Sequence, residues 1–154
     1  MTNLPKTADV IIIGGGVMGA SAAYHLAKRG VKNILLLEKE SHFGTGATGR
    51  CAGGVRYQFS TEINVTLSKH SLPMIERFKE ELGQDPSYHQ YGYLLVATNE
   101  QEVQEFKQNV AMQNRLGVQT ELLSGDEVRR RLPLMHFDDA LAGTFHHKDG
   151  TADP

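Results

Sequence analysis

The sequence predicts an α/β fold that opens on a βαβ unit and passes into part of a mixed α+β segment. Three observations carry this. The β-branched run Val10–Ile13 breaks abruptly into glycine, and Gly14, Gly16 and Gly19 fill a G-x-G-x-x-G spacing. Helix formers from Ala20 stop at Gly30, and a second apolar run over 31–37 ends at an acid, Glu38. Beyond about residue 85 the alternation of strand and helix stops. Strand, glycine loop, helix, strand and acid thus arrive in the order of a Rossmann-like dinucleotide-binding unit. The expected division is 1–84 and 85–154.

Each element has a physical reason. Val10–Ile13 is the kind of run buried on both faces of a parallel sheet. Gly14 permits the tight turn, Gly16 lets backbone approach a pyrophosphate, and Gly19 lets the helix pack closely on the strand. In that helix Ala22, Ala23 and Leu26 form the packed side. Its first-turn N–H groups lack intrahelical partners and the dipole is positive there, so a pyrophosphate can accept from them. Glu38 lies 24 residues after Gly14, close to the roughly 20 expected of an acid that accepts from ribose hydroxyls. A 2′-phosphate would meet its like charge, which disfavours NADP. The spacing does not choose between NAD and FAD.

After a short polar lead-in over 1–7 and this unit, Ser41 to Gly54 forms a second glycine-rich loop, either closing on a ligand or serving as a flexible linker. Thr61 to Leu82 reads as a helix with Ile63, Leu67, Met74, Ile75 and Phe78 at helical spacing, and Pro73 should kink or divide it. Tyr88 to Thr98 reads as one or two strands. Asn99 with Glu102 resembles a capping box that opens an amphipathic helix along Val103, Phe106, Val110 and Leu116, stopped by Gly117. Val118 to Leu123 is a short strand, Ser124 with Glu127 a second capping box before a short helix, and Ala140 to His146 a last strand before the turn Asp149-Gly150.

Composition narrows the function. The chain has 154 residues, 40% hydrophobic and 22% charged, with a formal charge of −2, and its one basic cluster, Arg129 to Arg131, is too small a footprint for nucleic acid. No apolar run is long enough for a membrane span, and the start does not read as a signal peptide, so a cytoplasmic location is expected. Cys51, the single cysteine, excludes an internal disulfide and metal cluster. A doubly wound domain needs several βα units and only the first is evident. The fold is therefore expected to be incomplete, an amino-terminal part whose remaining strands lie beyond Pro154 and which is inactive alone.

Ile11 to Leu26, Leu35-Leu36-Leu37-Glu38-Lys39, the loop Thr45 to Phe59, Gln90 to Leu95 and Asp149 to Pro154 resemble the amino-terminal part of FAD-dependent amine and amino-acid oxidoreductases of the D-amino-acid oxidase-like superfamily. The branch most resembled is that of sarcosine oxidase β subunits and dye-linked proline dehydrogenase β subunits. The resemblance implies FAD, bound by Gly14, Gly16, Val17, Met18, Gly19, Glu38, Lys39, Thr45, Thr48, Arg50, Ala52, Gly53 and Gly54, with no metal. It implies oxidation of a small amino-acid amine of sarcosine, proline or glycine type to an imine, with other subunits of a hetero-oligomeric oxidase or dehydrogenase as partners. Arg50 is a cofactor contact or a solvated charge. Arg56 resembles an arginine that holds the substrate carboxylate, for which a guanidinium is suited; the alternative is an ion pair with Glu62 or another acid. No residue stands out as a catalytic base. A histidine that bonds the flavin covalently in dimethylglycine dehydrogenase-like relatives is missing near Cys51, which implies non-covalent FAD and a small buried thiol at Cys51. An NAD-dependent dehydrogenase and a non-catalytic nucleotide-binding subunit are the alternatives.

Overall fold

A computed structural model describes residues 5–154 of the chain; the first four residues of the polar lead-in lie outside the described residues. Two compact units result, one running to Ala52 and including Pro154, the other Gly53–Asp153.

In the first unit, strand β1 (Val10–Ile13) pairs in parallel with β2 (Ile34–Leu37), register Val10 to Ile34 through Ile13 to Leu37, and helix α1 (Val17–Lys28) makes the crossover. The helix starts three residues earlier than the composition suggested, because Gly16 already serves as its N-cap. The second strand starts later than Val31, because the Val31 N–H closes back on the Leu26 carbonyl and Asn33 turns at φ +53°. Burial on both faces of β1 is not realised: Ile11 and Ile13 are 57% and 87% exposed. Among the described residues β1 pairs with β2 alone and α1 packs against it, and alternate side chains stay open. Ala22 is likewise exposed, and Ala23 and Leu26 are half-buried.

The second unit is built on an antiparallel sheet ordered β4 (Tyr93–Ala97), β6 (Ala142–His146), β5 (Glu121–Ser124). Helix α4 (Glu100–Arg115) sets Val103 and Phe106 against Ala97 and Ala142, and α5 (Gly125–Arg131) sets Val128 among Leu94, Val96 and Leu123. Alternate residues of β4 therefore meet different helices. A third cluster gathers Tyr57, Val65, Leu72 and Val118 under α2 (Glu62–Glu76). The apolar stripe expected on α2 is not its buried face: Val65, Ser68 and Leu72 are buried, while Ile63 and Leu67 are exposed. Pro73 lies inside α2, and the break before α3 (Phe78–Leu82) falls at Arg77, one turn later. Gly83 ends α3 in a left-handed conformation that suits glycine.

The cap at Ser124 and Glu127 is reciprocal, as expected. That at Asn99 is not: Asn99 accepts from Glu102 N–H, but the Glu102 carboxylate takes the N–H of Thr98. Strand β5 begins only at Glu121, because Val118 and Thr120 fold back onto Gln113 and Asn114.

One buried carboxyl ties this unit together. Asp149, fully buried, accepts from the Tyr57 backbone N–H at 2.7 Å, from Gln58 Nε2 at 3.0 Å and from His146 Nδ1 at 2.9 Å. Gln58 also donates to the Tyr93 carbonyl and accepts from Thr144. The short pair β3 (Gly54–Val55) and β7 (Gly150–Thr151) flanks this network. Removing the acceptor leaves several buried donors unpaired, each costing about 1–3 kcal/mol. Asp149→Ala is therefore expected to lower unfolding free energy by about 3 kcal/mol or more, and Asp149→Asn by less because an amide oxygen remains. Urea midpoints of the two variants check this.

Candidate functional site

The glycine loop owes its shape to backbone packed against backbone. Gly14 leaves β1 at φ +104° and donates its N–H to the Leu37 carbonyl at 2.8 Å, extending the parallel ladder by one rung. A Cβ on Gly19 would stand 1.9 Å from the Gly14 carbonyl oxygen, so the helix start approaches the loop as only glycine permits. At Gly16 a Cβ would meet Thr48 Oγ1 at 3.1 Å. The middle glycine, which the motif leaves unspecified, is the tighter case: a Cβ on Gly15 would lie 2.1 Å from the Phe43 ring. Gly15 and Phe43 are the site residues that motif reasoning missed. The run of three glycines and a lone aromatic in the second loop were the available signals.

Two groups close on this loop. Thr48 Oγ1 accepts from the Val17 N–H at 2.9 Å. The Glu38 carboxylate accepts from the Gly15 N–H at 2.7 Å on one oxygen and from the Glu40 N–H at 3.0 Å on the other. These bonds, that from Glu40 foremost, hold the Glu38 carboxyl below its usual range, so it is ionised at neutral pH. Each oxygen keeps acceptor capacity beyond its one backbone bond. No acid stands in the first turn of α1. Among the described residues the N–H groups of Met18 and Gly19 have no protein acceptor, which leaves them for an anion at the positive end of the helix.

The other expected contacts are not gathered here. Lys39 points outward and pairs with Glu40 at 3.6 Å, its side chain 88% exposed. Thr45 donates within its own turn to the His42 carbonyl. Arg50 and Ala52 are exposed. Cys51, expected to be a buried thiol, is exposed; its short 3₁₀ turn, Thr48–Arg50, buries no side chain.

Gly53, Gly54 and Arg56 belong to the second unit. Gly53 has φ +69° and its carbonyl accepts from Ala152, while a Cβ on Gly54 would sit 3.0 Å from the Tyr93 hydroxyl. Arg56 is half-buried, its guanidinium carbon 4.9 Å from the centre of the Phe59 ring. It lines a cavity of about 190 Å³ with Gln58, Asn109, Gln113 and Thr144. The alternative partner, Glu62, is taken by Arg115.

A family model described as FAD dependent oxidoreductase matches residues 9–154. The chain belongs to this family. Membership decides for FAD over NAD, a choice that the glycine spacing left open. Mouse (Mus musculus) mitochondrial sarcosine dehydrogenase is 36% identical over 98% of this chain and 16% of its own length. Mitochondrial dimethylglycine dehydrogenase of Rattus norvegicus is 37% identical over 96% of the chain and 17% of its own length. Among solved structures, L-proline dehydrogenase from P. horikoshii superposes with a TM-score of 0.87 at 38% identity, covering 98% of this chain and 39% of that one. Glycine oxidase from Bacillus cereus ATCC 14579 gives 0.75 at 29% identity, over 96% and 40%. The chain thus spans well under half the length of these relatives.

The first unit fits the adenosine diphosphate part of FAD. Free amides at Met18 and Gly19 suit the diphosphate, the missing Cβ at Gly19 lets the helix start close on the Gly14 turn, and an ionised Glu38 suits ribose hydroxyls. Gly19→Ala is expected to cost about 2 kcal/mol of stability, as overpacking does, and to release FAD on desalting, read by flavin absorbance. Because the folded pKa of Glu38 is depressed, its contribution is present above the ordinary value of 4.5 and is lost as pH falls through the lower folded value. FAD retention should accordingly be flat at neutral pH and fall only below 4.5, and Glu38→Gln should remove that acid limb.

Proposed function

We propose that this chain contributes the FAD site and part of the substrate site of an enzyme that oxidises the amine of a small amino acid, of sarcosine, proline or glycine type, to an imine. FAD when bound supplies the hydride acceptor. The chain's own residues orient: bare amides and Glu38 hold the cofactor, and Arg56 holds the substrate carboxylate. Lys39, Thr45, Arg50, Ala52, Gly53 and Gly54 are proposed as further FAD contacts on the strength of the resemblance. Residues 1–84 are assigned to the cofactor domain and 85–154 to the substrate domain.

The observation that supports the Arg56 role best is its lack of a carboxylate partner. Among the described residues it makes no ion pair, although it is half-buried and faces a cavity of amides and a hydroxyl. A guanidinium stays charged at any working pH and meets a carboxylate with two parallel N–H bonds, which fixes the substrate's direction. The names of the relatives, sarcosine, dimethylglycine and proline dehydrogenases and a glycine oxidase, support the substrate class. Residues 1–154 alone are proposed not to turn over; the exposed Ile11 and Ile13 support this, since a strand of this kind is sandwiched in a complete doubly wound sheet. Partner subunits and a cytoplasmic location belong to the same proposal. Among the described residues no helix is long and apolar enough to cross a membrane, and the two dehydrogenases named above are mitochondrial.

The test is steady-state kinetics of the full-length, FAD-loaded protein on sarcosine, proline and glycine. Arg56→Met should raise KM by about ten- to a hundredfold, the loss of a charged hydrogen-bonded contact, with the flavin spectrum unchanged. Arg56→Lys should recover only part of that. An unchanged KM in Arg56→Met would remove Arg56 from the site, and failure of every amino acid to bleach the flavin would remove the substrate class.

A further inference from the structure

The second unit carries an open cleft of about 410 Å³ that the cofactor and Arg56 sites do not use. Its wall brings together Tyr57, Lys69, His146, His147 and Lys148, and no carboxylate lines it. The cleft is a built one: Tyr57 is only 9% exposed and His146 only 4%. Among the described residues neither the Tyr57 hydroxyl nor His146 Nε2 has a protein partner, yet neither is a sealed, unsatisfied atom, so both open onto the cleft.

The polarity of these two atoms follows from their surroundings. Both oxygens of Asp149 already act as acceptors, from Tyr57 N–H, Gln58 Nε2 and His146 Nδ1. His146 Nδ1 therefore carries a ring proton, and it is the Nε2 lone pair of the imidazole's uncharged form that the cleft can use as an acceptor. Burial pushes the Tyr57 phenol up, so it stays protonated and donates. Lys69 Nζ is held at the cleft by the Leu116 carbonyl at 2.5 Å, with other N–H bonds left to give. The cleft thus offers two ammonium groups and a phenol as donors, together with one buried acceptor.

We propose that this cleft binds a phosphate group that still carries a proton: Lys69, Lys148 and Tyr57 donate to its oxygens, and His146 Nε2 accepts its hydroxyl. The acceptor sets the selectivity. Sulfate matches phosphate in shape and charge but has no proton at neutral pH, so its oxygen would face the lone pair of Nε2 without a bond between them, a buried mismatch. A fully ionised diphosphate such as that of FAD is disfavoured by the same reasoning, so the cleft differs from the cofactor site in chemistry. The occupant is free hydrogen phosphate or a small phosphate ester in its singly protonated form, which for an ester is the minor species above a second pKa of about 6.

Calorimetric titration of the FAD-loaded protein with inorganic phosphate, sulfate and glycerol phosphate near neutral pH tests this. The expected result is saturable phosphate binding at least about tenfold tighter than sulfate, weakened about tenfold by Lys148→Ala and by Tyr57→Phe, with flavin absorbance retained in both. Tyr57→Phe keeps the buried ring and removes only the hydroxyl, so it isolates the donor from the packing. Tighter binding of glycerol phosphate than of inorganic phosphate identifies an ester as the occupant, and the reverse identifies the free ion. Equal affinity for phosphate and sulfate, no saturable phosphate binding, or affinity indifferent to both variants overturns the proposal.

Discussion

The approach of helix α1 to the loop behind β1 is the constraint from which the first unit follows. With the Gly14 carbonyl where the Cβ of any other residue at position 19 would be, only glycine lets the helix start come this close to the loop, and among the described residues its Met18 and Gly19 amides keep no protein acceptor. The acid at the end of β2 and Thr48 from the second loop then reach the same backbone, one at Gly15 and one at Val17. The Gly14 N–H on the Leu37 carbonyl and the Gly44 N–H on the Gly15 carbonyl add backbone bonds to the same loop. Together these bonds set the loop, and they leave the positive end of the helix dipole open to an anion.

The second unit uses the opposite device, a buried polar centre rather than bare backbone. Asp149 fixes Tyr57 and Gln58, the two residues after Arg56, from more than ninety positions away in the chain. Gln58 passes the constraint to β4 and β6 through Tyr93 and Thr144. The direction of the Arg56 side chain is thereby settled by groups it does not touch. Its guanidinium lies over Phe59, and the acid nearest to it in sequence, Glu62, is taken by Arg115. The same carboxyl orients His146, so one buried acid shapes both the Arg56 segment and the cationic cleft.

Element order was legible wherever a local chemical requirement marked it. Gly83 and Gly117 stop helices with positive φ, and Ser124 with Glu127 makes a reciprocal cap. Boundaries slipped where a contact elsewhere competed. Val31 and Val118 read as strand by composition, but their N–H groups close back on the preceding helices, and β-propensity yields to such contacts. On α2 the periodic apolar residues Ile63 and Leu67 lost to Val65, Ser68 and Leu72. In the facing layer Gln113 is buried because Phe59 and Thr120 satisfy its amide. Hydrophobic periodicity does not register a polar residue that finds partners.

By itself the sequence determined the βαβ order, the need for glycine at positions 14 and 19, the acid at the end of the second strand and, through its resemblance, FAD as the cofactor. These are statements about single residues and short spacings, since a positive φ or an absent Cβ is written into one position. Only the tertiary structure decided that Glu38 binds Gly15, that Phe43 covers the middle glycine, that Arg56 escapes Glu62, and that Asp149 gathers three donors. Those outcomes depend on distances between residues far apart in the chain, and competition among several available partners settles them only once the backbone is in place.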